Sequence, residues 1–345
     1  MGKTTLFIGG EILSANARDE LAEAMLIEDE RILLVGDRED ALALSDSDTE
    51  IVDLGKRALI PGFINTYPTN PFGKETGISP LEARARELLS LGWSALRLTP
   101  DCLRDLRKLV SVGRLTKANA PCLFSLYERA EMISESCRLL FLLQDLLSSE
   151  SSARRAEWAI ADRRPIAFEA SGEAELHSVC EFLRSLSAQS AACPGSRLYL
   201  GSAPSREHLP FLLSHRMLPI FLCRDRGSAA SLEAFREHGL SAIMAEPETI
   251  SPLLMLSLAL TPLGDDYRRV PPLLSALSLH AAELESVASE LGSLEWGKRA
   301  DFLILSSPLL GCPPSRLPLL SVAESWVGGR RLALAPVAAC VASQK

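Results

Sequence analysis

Glu169 and Glu173 lie four residues apart in PIAFEASGEAEL, and Glu246 closes the apolar run SAIMAE. Carboxylates that strands deliver to one mouth can do two kinds of chemistry. A crowded pair raises one pKa and leaves an acid beside a base, and a trio can hold a hard cation such as Mg2+. The plainer account of each glutamate is a salt-bridged or solvated side chain. A second polar set follows the apolar strand Leu59 to Ile64 in LIPGFINTYPTNPF, where Asn65, Tyr67 and Thr69 take alternate positions. Such strand ends are where barrel and open-sheet enzymes place their working groups. The five histidines, His177, His208, His215, His238 and His280, fall in helical or loop-leading stretches. Helices of a barrel do not point into its mouth, so surface or helix-packing roles suit them better than a metal cluster. The eight cysteines are scattered, with no C-x-x-C pair, and read as reduced thiols.

Composition narrows the classes. A chain of 345 residues with 47% hydrophobic content has ample apolar surface for one large domain and a smaller companion. Net charge of -8 excludes an electrostatic grip on nucleic acid or anionic membrane. No run reaches the roughly 18 apolar residues of a membrane span, and MGKTTLFIGG has no signal-peptide core. The expectation is a soluble, cytoplasmic protein. The GKTT near the start lacks the upstream strand and glycine of a phosphate loop, and Leu6 stands where a myristoylation motif needs Ser or Thr.

The elements that would position these residues are legible in outline. TLFIGG, EAMLIEDERILLVGD and TEIVDLGKRALIPG read as short strands with turns. From Ser79 the texture alternates. Helical stretches such as SPLEARARELLSLG, PDCLRDLRKLVSVG and GEAELHSVCEFLRSLSA separate compact apolar runs. Counting ALIPGFI first, the runs SALRL, APCLFSL, RLLFLL, PIAFEA, RLYLG, LPIFLC and SAIMAE make eight candidate strands. Eight strand-helix alternations predict an α/β fold, a (β/α)8 TIM barrel from Leu59 to Leu294. The third and fourth runs, near Cys122 and Leu139, leave little room for a helix between them. After the barrel, GSLEWGKRADFLILSS and SVAESWVGGRRLAL return to strand and turn. Residues 1–58 and 295–345 are therefore expected to meet in a small composite β-sandwich domain built from both termini, around the barrel at 59–294.

EAMLIEDERILLVGDREDALAL, TEIVDLGKRALIPGFIN, LGSLEWGKRADFLIL and ESWVGGRRL, in this order and spacing, resemble the amidohydrolase superfamily, and within it the amidohydrolase-3, YtcJ-like branch. The resemblance runs from Leu6 to Leu332. It implies a barrel with a composite β-sandwich, and hydrolysis of C-N bonds by water activated on zinc or another divalent metal. It also implies metal ligands that this chain does not carry. The strand after Pro-Gly-Phe-Ile should read Asp-x-His-x-His, and Asn65, Tyr67 and Thr69 occupy those places. Glu169 stands for a histidine, Glu173 for an aspartate, Leu200 for another histidine, and Glu246 for the proton-shuttling aspartate. No bridging lysine is evident. Arg138 is the nearest basic residue, and a guanidinium neither ligates metal nor becomes carbamylated.

The expectation is accordingly a catalytically inactive amidohydrolase-fold protein with no cofactor, possessing at most a small-molecule pocket at the barrel mouth formed by Asn65, Tyr67, Thr69, Glu169, Glu173, Leu200 and Glu246. One alternative is an active hydrolase of an amide, urea or lactam with a carboxylate-based metal site, in which Glu246 is catalytic. The other is an interaction scaffold or homo-oligomer.

Overall fold

The computed structural model describes residues 2–75, 77–134, 139–142, 150–162, 165–185, 196–201, 208–215, 217–222, 243–244, 251–260 and 270–334. The chain divides into two compact units, Met1–Ile133 with Glu246–Lys345, and Ser134–Ala245. The strands of the first unit that precede the second are β1 Thr4–Leu13, β2 Leu21–Glu28, β3 Arg31–Gly36, β4 Glu50–Asp53, β5 Ala58–Pro61, β6 Phe63–Thr69 and β7 Trp93–Leu98. The second unit holds β8 Leu139–Leu142, β9 Ile166–Ala170, β10 Arg197–Leu200, β11 Leu218–Leu222 and β12 Ile243–Met244. Returning to the first unit, the chain adds β13 Phe302–Leu305, β14 Val322–Val327 and β15 Arg330–Leu332.

In the first unit an eight-stranded sheet runs β15-β14-β13-β5-β1-β2-β3, with β4 also on β1. Early and late strands thus interleave, because β5 lies between β1 and β13. A bulge lets β1 serve two neighbours. Its first half pairs with β4, its second half with β5, and the register shifts between Ile8 and Ile12. Gly9 and Gly10 make that step at φ of 71° and 66°, a region that disfavours any residue with a Cβ. The sheet's core gathers Phe7 of β1, Phe302 of β13 and Trp326 of β14, with ring centroids 5.1 to 5.4 Å apart. Edge and stacked ring contacts add to the area buried there.

Strands β6 and β7 form a separate parallel pair in the same unit. Helices Ile78–Leu91 and Pro100–Ser111 flank β7 in the chain. The second unit is a parallel sheet ordered β12-β11-β10-β9-β8, with helices Glu150–Ala161, Glu173–Ser185 and His208–Ser214 between its strands. Buried parallel strands read as continuous apolar runs, as these do.

Two of the expected strands come out differently. The run LIPGFI does not form one strand from Leu59 to Ile64. Ala58–Pro61 hydrogen-bonds into the large sheet, Gly62 separates the two, and Phe63 opens β6. APCLFSL is not a strand: it begins the helix Pro121–Ser134. That helix buries Cys122, Leu123, Leu126, Ala130 and Ile133, a helical spacing that needs a longer window than the run itself. The crowding of two strands near Cys122 and Leu139 is thereby removed. The architecture is mixed α/β with two parallel β/α segments, and no closed barrel is formed among the described residues.

Candidate functional site

Strand β6 carries the first set of candidates. Ile64 and its register partner Ala95 pack with Ala281, Ala282, Val287 and Leu291, so this face of the strand is covered by helix and loop. Asn65, paired with Leu96, lies on the opposite face because side chains alternate along a strand. Alternation then fails. Asn65 aligns with Leu96 and Thr69 with Leu98, so four residues of β6 span two of β7. Pro68 lies in the bulge, and proline has no N–H to give a ladder. The Tyr67 N–H donates instead to Asn65 Oδ1 at 3.1 Å, and Asn65 Nδ2 donates to the Tyr67 carbonyl at 3.1 Å. Asn65 is 1% exposed and its amide is closed upon its own backbone. The Thr69 carbonyl accepts from the Thr99 N–H at 2.8 Å, which ties the end of β6 to the start of helix Pro100–Ser111.

On the helix-covered side, Arg97 of β7 forms a buried ion pair with Glu285, their side chains 5% and 0% exposed. A second buried pair joins Arg129 of helix Pro121–Ser134 to Asp301, through Arg129 Nε on Oδ2 and Arg129 Nη2 on Oδ1 at 2.8 Å. The Gly328 N–H also donates to Asp301 Oδ1, at 2.7 Å. Burial disfavours the Arg129 charge, but the Asp301 carboxylate more than restores it, and the guanidinium is held above its ordinary value. The aspartate of the GKRAD segment thus has a structural task.

In the second unit, Glu169 of β9 pairs in register with Leu142 and Tyr199, whereas Leu200 pairs with Ala170 and Phe221. Glu169 and Leu200 therefore face opposite sides of the sheet. Phe168 packs edge-on against Phe182 of helix Glu173–Ser185, which identifies the helix-covered side as that of Phe168, Ala170 and Leu200. The other side carries Glu169, Arg197 and Tyr199, the last two 1% and 0% exposed. Sequence reasoning passed over Arg197 and Tyr199 because an apolar run gives no sign of which alternate positions face a site.

Glu173 starts helix Glu173–Ser185, and its Oε1 lies 3.0 Å from His208 Nδ1 on the following helix. His177 approaches Glu181 at 3.4 Å and stands 6.0 Å from the His208 ring. His215 caps its helix through Nδ1 against the Phe211 carbonyl at 2.9 Å. His280 lies in helix Leu279–Leu284. Glu246, His238 and Arg138 fall outside the described residues. Among the described residues, no three His, Cys, Asp or Glu side chains come together as a group able to hold a metal ion. An Asn amide committed to backbone, a tyrosine and a threonine also offer poor ligands for a divalent cation.

Comparison with solved structures decides the fold. Zinc-bound adenosine deaminase from Xanthomonas campestris superposes with a TM-score of 0.66 at 14% identity, over 96% of this chain and 93% of that one. The chain shares the amidohydrolase fold. E. coli guanine deaminase gives a TM-score of 0.66 at 14% identity, over 97% and 100% of the two chains. Molinate hydrolase gives 0.64 at 13%, over 96% and 95%. No family model and no curated protein sequence matches the chain. No described helix is long and apolar enough to cross a membrane.

Proposed function

We propose that this is a non-catalytic protein of the amidohydrolase fold, of the YtcJ-like kind. On this reading 59–294 is the (β/α)8 barrel region and 1–58 with 295–345 the composite β-sandwich, the first boundary moving to just after Pro61 because Ala58–Pro61 pairs with β13. The family's metal site is gone, no cofactor replaces it, and the barrel mouth is left as a small-molecule pocket. The observation that carries this reading is Asn65, whose buried amide closes on the backbone of Tyr67, the position where the resemblance puts the first imidazole. An amide committed to backbone on both its oxygen and its nitrogen is not available to a metal. The protein acts in the cytoplasm, alone or as a homo-oligomer.

The test is metal analysis of protein purified without chelators, together with a turnover screen of amides, ureas and lactams and a thermal-shift screen of the same compounds. The expected result is substoichiometric metal and no metal-dependent turnover, with stabilisation by a subset of the compounds. Stoichiometric metal, with turnover abolished by Glu246→Gln, overturns it.

A second reading draws on Glu169, which shares the face opposite the helices with Tyr199 and Arg197. A carboxylate on that face is a candidate acid-base or hard-cation ligand. Glu173 counts against a trio, since it pairs with His208 at a helix start. Turnover abolished by Glu169→Gln would favour this reading, with sensitivity to chelators marking a cation site and indifference to them an acid-base pair.

A further inference from the structure

Apart from the β6 strand end, the first unit contains a cavity of about 50 Å3 lined by Lys117, Arg129, Arg299 and Arg330, with Glu30 and Glu128. About 10–15 Å3 of such space admits one water, so this volume takes a group of a few heavy atoms. Four cations face two carboxylates there, and Asp301 behind Arg129 accounts for one more positive charge. One positive charge is left over, in a chain whose net charge is -8.

The donors are incompletely used. Lys117 Nζ lies 3.8 Å from Glu30 and 3.6 Å from Glu128, beyond hydrogen-bond reach of either. Arg299 gives Nη2 to Glu30 at 2.7 Å, yet its Nε is buried without an acceptor among the described residues. Arg330 adds an exposed guanidinium at the rim. A buried donor without an acceptor is costly and points to an oxygen supplied from elsewhere.

Gly328 keeps the space open. Its φ is +57°, and a Cβ there would stand 3.5 Å from Nη2 of both Arg129 and Arg299, in the gap between the guanidinium groups. Guanidinium and ammonium groups around a small opening suit the oxygens of a tetrahedral or planar anion. We propose that this cavity is a binding subsite for a small oxyanion, the phosphate or carboxylate group of a metabolite. It stands independently of the barrel mouth and of whether the protein turns over substrate.

The experiment titrates the whole protein with inorganic phosphate and, separately, acetate. Chloride at matched ionic strength is the control, and thermal shift and calorimetry are the readouts. Saturable binding of phosphate alone assigns a phosphate site, of acetate alone a carboxylate site, and of both a general oxyanion site. Lys117→Gln, on the half-exposed rim, is expected to weaken binding about tenfold, the effect of losing one charge-assisted contact. Arg299→Gln is expected to abolish it, and Arg331→Gln, whose guanidinium pairs with Glu324 and does not line the cavity, to leave it intact. If Arg299→Gln fails to fold, Lys117→Gln decides. No saturable response to either anion, or equal binding by the wild type and Lys117→Gln, overturns the proposal.

Discussion

Asp301→Ala is the substitution whose cost follows most directly from the structure. The Arg129 and Asp301 side chains are 2% and 4% exposed, so the change strands a guanidinium in the interior. It also deprives the buried Gly328 N–H of its acceptor. Removing one partner of a buried pair costs about 3–5 kcal/mol, because the remaining charge has lost its counterion and cannot regain water. At roughly 2 °C per kcal/mol for a chain of this size, the midpoint should fall by about 8 °C. Asp301→Asn should lie between the two, since it keeps an acceptor for Gly328 but not the charge. The double variant Arg129→Met with Asp301→Leu should recover most of the loss, because two apolar groups leave nothing unpaired. The assays are thermal unfolding for the midpoint and urea unfolding followed by circular dichroism for the free energies, the latter analysed as a double-mutant cycle. A coupling below about 1 kcal/mol, typical of an exposed pair, would refute the reasoning.

Three further outcomes are expected. Asn65→Ala should cost about 1–2 kcal/mol in urea unfolding, since it removes the side-chain acceptor of the Tyr67 N–H in the bulge. Glu169→His with Leu200→His should yield no tight zinc binding by calorimetry, because position 200 faces the helices rather than the side of Glu169, whereas Glu169→His with Tyr199→His places both imidazoles on one face and should bind zinc more tightly. Hydrogen bonds from Arg107 hold the Glu131 carboxyl below its ordinary value. Its contribution is complete above the unfolded carboxyl value near 4.3 and is lost as pH falls through the lower folded value, so an acid melt should distinguish wild type from Glu131→Gln above that window but not below it.

Much of the fold was legible because its signals are local. The parallel strands β7 and β9 to β11 announce themselves as short apolar runs between amphipathic helices. Two features were hidden for different reasons. Pro121 begins a helix whose apolar spacing, through Leu123, Leu126, Ala130 and Ile133, emerges only over fourteen residues, whereas its first seven mimic a buried strand. The division at Gly62 depends on pairing with β13, some 240 residues later, which no local pattern records. At the site, the identities of Asn65, Tyr67 and Thr69 could be read residue by residue. The orientation of Glu169 with Tyr199 rather than Leu200 could not, since it is set by the register of neighbouring strands.

The interleaving of β5 between β1 and β13 also governs how the protein is made. Ala58–Pro61 leaves the ribosome about 240 residues before its partner Phe302–Leu305, a wait of tens of seconds at ordinary rates of synthesis. Throughout that interval Phe7 has neither Phe302 nor Trp326 to cover it, and β5 presents an open apolar edge. The nascent chain is thus a natural client for holding chaperones, and a stop codon before β13 yields a sticky, unfinished sheet rather than a smaller working protein.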